Sequence, residues 1–415
     1  MLHYIVGPEK QWWHVPLSSF GIRYSFTLAA ATAVGIIRTK QRLRFGAALR
    51  SQEKLALMML ALMWVLALFG PETMGRYATT DHATVKILKV VIFCLMMTHV
   101  VTKRRDLDKI FWILVVGSFL LGLQAYDLPR RAFTSGRLDG RVGGSDFLDA
   151  NALGLFMAVT VPIIGALFMR STWRGKLLCG VAGAFSLNTL VLCRGRGAFL
   201  GLCAGGIVML FMAPRRLRIR IAAGLLLASA GLLYVSDTQF LERVSNIITH
   251  AESASEGREI SDRSAASRIE IWEGGLRMFM DHPLGVGPGN FNQNIGRYAP
   301  AWEGFSPHSL YVQALAELGI AGFLLLGLLL LNALWTLRRG MRGSETLPES
   351  ERLALQWGGI GLCSALAVYS GAGLTGHHMY LEHFWWFLLL PVCFERAVEN
   401  AREDLLASER LESEA

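Results

Sequence analysis

Long apolar runs, which charges avoid almost entirely, dominate the chain. About eleven of them, each roughly 16 to 28 residues, come close to the ~20 residues a helix needs to cross a ~30 Å bilayer at 1.5 Å per residue. They fall near residues 20–37, 55–70, 84–101, 109–125, 152–169, 177–193, 197–213, 219–235, 309–337, 354–372 and 381–397. Inside a bilayer the backbone must satisfy its own hydrogen bonds, so each run is predicted as a helix. The whole chain, 415 residues and 53% hydrophobic, fits a membrane class better than a soluble one. The predicted fold class is an all-α polytopic membrane protein with about 11–12 transmembrane helices. Four regions are expected: a transmembrane bundle over 1–235, a long loop over 236–308 containing short helices, further transmembrane helices over 309–398, and a tail over 399–415. The first twenty residues lack the clean apolar core of a cleavable signal, and Trp12 and Trp13 suit an interfacial belt.

The polar stretches between the runs alternate in character. Every second one is densely basic: "RTKQRLRFGAALRSQEK", "TKRRDLDK", "MRSTWRGK", "APRRLRIR" and "LRRGMRGSETLPESER". The positive-inside rule makes these cytoplasmic, with the tail "ERAVENAREDLLASERLESEA" on the same side. The remaining connections face outward, including the one sizeable extramembrane segment, Ser236 to about His308. Within it "ITHAESASEGREISDRSAAS" is polar and reads as a mobile loop.

That segment carries "DHPLGVGPGNF", with Gly285, Gly287 and Gly289. A dinucleotide loop needs a third glycine three residues after the second, where this chain has Asn290, and a strand before it. The glycines instead predict a turn that ends the helix "SRIEIWEGGLRMFM" and redirects the chain toward Arg297 and His308. Such a turn would bring backbone close to a substrate or to the helix ending at Met280, with Asn290 as a sugar contact.

Charge alters the picture. The outward connections should be poor in cations, yet they hold Arg130, Arg131, Arg137, Arg141, Arg194, Arg196, Arg243, Arg258, Arg263, Arg268, Arg277 and Arg297, with no lysine after Lys176. Acidic neighbours such as Asp139, Asp146, Asp149, Glu242, Glu270 and Glu273 allow ordinary surface bridges. Guanidinium is also the fork that grips phosphate oxygens with paired hydrogen bonds, and the excess points to an anion held on the outer face. Arg196 in "LVLCRGRGAFLGL" lies between two spans with almost no loop, where a charge needs a partner or a polar cavity. A lipid-borne anion available there in bacteria is the pyrophosphate of a polyprenyl-linked sugar.

His308 in "FSPHSLYVQALAEL" meets the start of a span at interfacial depth, with Pro307 suited to the helix start. An imidazole there could take a proton from a hydroxyl, or simply be satisfied at a helix start. "GHHMYLEHFWW" lacks zinc spacing and reads as interfacial polar lining with Trp385 and Trp386 as belt residues. The six cysteines form no CxxC pair and read as small packing residues. No metal, cofactor or nucleic-acid partner is expected.

Taken in order, "GRVGGSDFLDANALGLFMAVTVP", "CRGRGAFLGL", "SRIEIWEGGLRMFMDHPLGVGPGNF" and "HSLYVQALAELGIAGF" resemble the bacterial O-antigen ligase and polymerase superfamily over roughly Arg137 to Gly322. The resemblance implies a GT-C-type fold in the inner membrane and transfer of a glycan from undecaprenyl pyrophosphate, at the periplasmic face, to an acceptor. The acceptor would be a glycolipid such as lipid A-core, another glycan or a protein hydroxyl. It implies His308 as base and Arg196 and Arg268 on the pyrophosphate, with Arg141 matching a basic residue ahead of a "DxN" segment. Inversion at the anomeric carbon is expected. Family members commonly show about twelve spans, so the difference from eleven falls on Met1 to about Phe20. A polymerase would use the same donor. A flippase or transporter would instead show paired broken helices and an internal repeat.

Overall fold

The computed structural model describes residues 1–7, 24–38, 49–70, 82–134, 137–138, 142–147, 149–235 and 263–414. Trp12, Trp13 and most of the N-terminal segment lie outside the described residues, as does most of the polar stretch before Arg263. A short helix, α1 (Leu2–Val6), comes first, and each of the eleven expected spans then falls on a helix. These are α2 (Tyr24–Arg38), α3 (Ser51–Phe69), α4 (Ala83–Val100), α5 (Arg104–Tyr126), α6 (Ala150–Arg170), α7 (Trp173–Cys193), α8 (Arg196–Met212) and α9 (Arg218–Val235). After α10 (Arg263–Asp281) and α11 (Phe291–Tyr298) come α12 (Leu310–Gly343), α13 (Glu349–Ala372) and α14 (Glu382–Glu414). Seven helices among the described residues are long and apolar enough to cross a membrane, so the chain is an all-α, multi-pass membrane protein. The sole strands described are the two-residue β1 (Phe133–Thr134) and β2 (Arg137–Leu138), paired antiparallel.

The bundle is built around α13 and α6, whose apolar windows are 78% and 72% buried, against 39–50% for the other spans. Glycine makes the closest contact. Gly197, Gly201 and Gly205 recur every four positions on α8. A methyl at Gly201 would lie 2.5 Å from the Val368 carbonyl oxygen, and one at Gly205 would lie 2.5 Å from Val368 Cγ2. Small residues at this spacing let two membrane helices meet backbone to backbone, where dispersion replaces the absent hydrophobic drive.

Among the described residues, short connections make consecutive spans antiparallel, and the described basic connections gather at one end. There Arg170 meets Asp108 at 2.5 Å, Arg339 meets Glu395 at 2.6 Å, and Arg396 reaches the buried Glu53 at 3.1 Å. Thr98 also donates to Glu53 at 2.6 Å, which helps satisfy a carboxylate that would otherwise be costly to bury. The opposite end collects residues 127–134, 137–138, 142–147, 149, 194–195, 263–309 and 373–381.

Two expectations are corrected. Trp385 and Trp386 are each 1% exposed and belong to the core rather than to an interfacial belt, because the first half of α14 is enclosed by other helices. Helix α12 starts at Leu310 behind Ser309, whose hydroxyl accepts from Val312 N–H, so Pro307 precedes the helix. Five of the six cysteines are buried, in keeping with a packing role; Cys203 is exposed.

Candidate active site

The glycine-rich turn binds a carboxylate of the chain itself. Gly285, Gly287 and Gly289 adopt φ of 92°, 100° and 81°, which bulkier residues resist. The turn lies against a break in α12 at Gly319 (φ 65°, ψ −166°). Backbone bonds join the two: Val286 N–H to Ala316 O at 3.0 Å, Gly287 N–H to Glu317 O at 2.9 Å, and Ile320 N–H to Pro283 O at 3.1 Å. Glu317, 2% exposed, accepts from Gly289 N–H at 3.1 Å, Phe291 N–H at 3.2 Å and the Tyr380 hydroxyl. The close backbone approach expected here is therefore to the α12 break.

This docking positions His308. On α10, Ile271, Gly274, Gly275 and Met278 form a buried stripe with helical spacing. It packs on Phe291 and Ile295 of α11 and on Val312 of α12. From the same helix Trp272 donates its indole N–H to Pro307 O at 2.9 Å. On the other side of His308, Leu310 N–H donates to Gly373 O at 2.8 Å. Clamped between these anchors, His308 takes φ 46°, a left-handed conformation that costs an L-residue roughly 1–2 kcal/mol. Such strain persists where surrounding contacts over-determine it, a pattern common at functional sites.

His308 opens on a cavity of about 480 Å³ lined by Arg137, Asn151, Ser267, Arg268, Ile271, Trp302, Phe305 and His308. The cavity joins four parts of the chain: the connection after α5, the first turn of α6, the N-terminal end of α10, and the loop ahead of α12. Arg137 is held in place by Cys193 O at 3.0 Å and Asn151 Oδ1 at 2.6 Å, with Asp149 4.0 Å away. Asn151 donates in turn to Asp149 at 3.3 Å. The "DxN" pair thus orients a guanidinium.

Burial pushes His308 down to about 4, and His377, Arg268 and Arg137 act in the same direction while Asp149 opposes them. The ring is therefore neutral at physiological pH, with a nitrogen lone pair available to a proton. Burial also lowers His377, which Asp149 raises in part.

The fold brings His308 and Arg268 into one cavity. Arg196 does not line it but opens α8 next to Gly195, whose added methyl would lie 4.0 Å from Asn151 Oδ1. Asn290 turns its amide onto Val286 O at 3.0 Å, and Arg297 is exposed in the last turn of α11; neither lines the cavity. Arg141 lies outside the described residues. Sequence reasoning did not single out Arg137, Asn151 or His377 as site residues. The arginine excess and the "DxN" spacing pointed toward the first two, and nothing in the sequence paired His377 with His308.

Residues 181–327 match the family model described as O-Antigen ligase, and this supports the expected place in the O-antigen ligase and polymerase superfamily. The matched segment contains Arg196, Arg268 and His308. Arg137, Asn151 and His377 lie outside it. Among curated proteins none matches the chain.

Proposed function

From the O-antigen ligase segment as premise, we propose that this membrane protein transfers a glycan from undecaprenyl pyrophosphate to an acceptor hydroxyl, with inversion, at the periplasmic face of the inner membrane. The observation that carries this reading is one cavity holding two guanidiniums, Arg137 and Arg268, beside a neutral imidazole, His308. In this reading residues 236–308 are periplasmic, and the polyprenyl tail lies along the apolar helices.

The donor pyrophosphate docks on Arg268 and Arg137, with Arg196 adjacent and Arg141 as a further contact. Its negative charge offsets the cationic surroundings that depress His308 and makes that imidazole a better base. A ring nitrogen takes the acceptor hydroxyl proton as the oxygen attacks the anomeric carbon. The bond from that carbon to the phosphate oxygen breaks on the opposite face, and its electron pair stays on the departing pyrophosphate. Guanidiniums already in place stabilise that charge, an effect typically worth several kcal/mol in a water-poor site.

A polymerase runs the same chemistry and differs in acceptor alone. The transporter reading gains one feature, the break in α12 at Gly319, but that break is occupied by the chain's own 283–289 turn. Reconstitution with a lipid-linked oligosaccharide tests the proposal. A glycolipid core, a protein hydroxyl and a second lipid-linked glycan are offered separately. Gain of glycan by one of them supports transferase function and separates ligase from polymerase. Movement of donor across the bilayer without transfer overturns it.

A further inference from the structure

Two aromatic rings share the cavity with the arginines and His308, and the mechanism does not use them. Trp302 ends a short turn, Pro300–Trp302, and Phe305 follows Gly304 (φ 79°). Their rings meet edge to face, centroids 5.3 Å apart at 84°. The indole N–H of Trp302 donates to Glu270 Oε2 at 2.6 Å, two residues along α10 from Arg268. Trp272 on that helix holds Pro307 O at 2.9 Å. Residues 302–307 are therefore tied to α10 at both ends, and the Trp302 ring is fixed relative to Arg268 before any ligand arrives. Phe305 remains 47% exposed at the cavity.

Aromatic faces carry negative charge in the ring quadrupole, and the C–H bonds on one face of a pyranose are weakly positive. A sugar can lay that face on an indole and keep its hydroxyls at the edge, in water or facing polar groups. Guanidiniums on the same cavity suit a diphosphate. We infer that Trp302 and Phe305 form a platform for the sugar ring joined to the pyrophosphate of the donor. The cavity then reads a single ligand with two chemistries, an anion on the arginine wall and a saturated ring on the aromatic wall. A ring held in advance loses little entropy on binding, so the platform adds selectivity for glycan-bearing carrier over bare carrier.

This inference rests on the proposed function, and its test separates the two. The full-length protein in nanodiscs is titrated with bare undecaprenyl pyrophosphate and with the glycan-bearing lipid, and donor and acceptor KM are measured by transfer. Trp302→Ala weakens binding of the glycan-bearing lipid about ten-fold, the scale of one lost aromatic stacking contact with its buried area. Bare carrier binding stays unchanged, and Trp302→Phe restores most of the loss. Phe305→Ala, which breaks no hydrogen bond of the fold, shifts affinity in the same selective direction. Equal loss for both lipids, or a rise confined to acceptor KM, overturns the platform. If Arg268→Ala leaves bare carrier binding untouched, the pyrophosphate reading itself falls.

Discussion

The imidazole of His377 meets that of His308 edge to face, ring centroids 5.4 Å apart at 72°. The pair unites the loop ahead of α12 with the loop ahead of α14. With burial, His377 and Arg268 hold His308 at about 4, below the ordinary 6.5. The acid limb of kcat/KM assigned to His308 should therefore lie near pH 4. His377→Asn removes one depressing neighbour, and the limb should move up toward 6.5. A pH–rate profile of the two proteins checks the shift; a limb unmoved by the substitution would detach His377 from the site.

The same depression affects stability. Between pH 6.5 and about 4 the unfolded chain binds a proton at His308 that the folded chain does not. Folded-state stability from this group is thus present above 6.5 and is lost as pH falls through that window. His377, also lowered, adds in the same direction. Thermal unfolding in detergent should show midpoints falling from pH 6.5 to 4, less steeply in a His308→Asn, His377→Asn double variant.

Arg137 and Arg268 should not tolerate lysine. Arg137 spans Cys193 O and Asn151 Oδ1 through separate nitrogens, a fixed geometry that an ammonium on a flexible stem does not reproduce. Each Arg→Lys change should raise donor KM by about ten-fold or more, the scale of a lost charge-assisted hydrogen bond. Acceptor KM should stay nearly constant. Steady-state kinetics with each substrate varied in turn distinguishes the two.

Backbone strain at position 308 gives a prediction independent of chemistry. At φ 46° a glycine is at ease and an alanine is not. His308→Gly should therefore melt higher than His308→Ala, by about 1 kcal/mol, with both slowed in transfer by about 10²–10⁴. Differential scanning fluorimetry of the two variants reads the order.

The turn at 283–289 is expected to be structural. A methyl at Gly319 would lie 2.3 Å from Pro283 O, and one at Gly285 would lie 2.4 Å from Glu317 O. Either Gly→Ala change forces the turn off α12. Glu317→Ala leaves the buried Phe291 amide without its acceptor, at about 1–3 kcal/mol, while Gly289 N–H keeps the Tyr380 hydroxyl at 3.1 Å. All three should lower the melting midpoint, and activity should fall with it as His308 loses its support.

Much of the helical layout was legible because membrane solvation writes it plainly: charge leaves the spans and arginine and lysine mark alternate loops. The break at Gly319 was not, since "AELGIAGF" reads as continuous apolar helix and its cause lies more than thirty residues earlier, at Pro283 and Leu284. Trp385 and Trp386 misled because a tryptophan at a span end looks the same whether it faces headgroups or neighbouring helices. In the cavity, His308 and Arg268 could be named from local motifs. Arg137 could not be separated from Arg141, because β2 and the "DxN" pair orient it only in the folded chain.

The most direct test of the account is transfer in proteoliposomes by the wild type and His308→Ala, with donor binding measured on the same preparations. The account predicts a rate lower by about 10²–10⁴ in the variant, the usual worth of a positioned base, with donor affinity and fold retained. A His308→Ala protein that transfers glycan at more than about a tenth of the wild-type rate would contradict it.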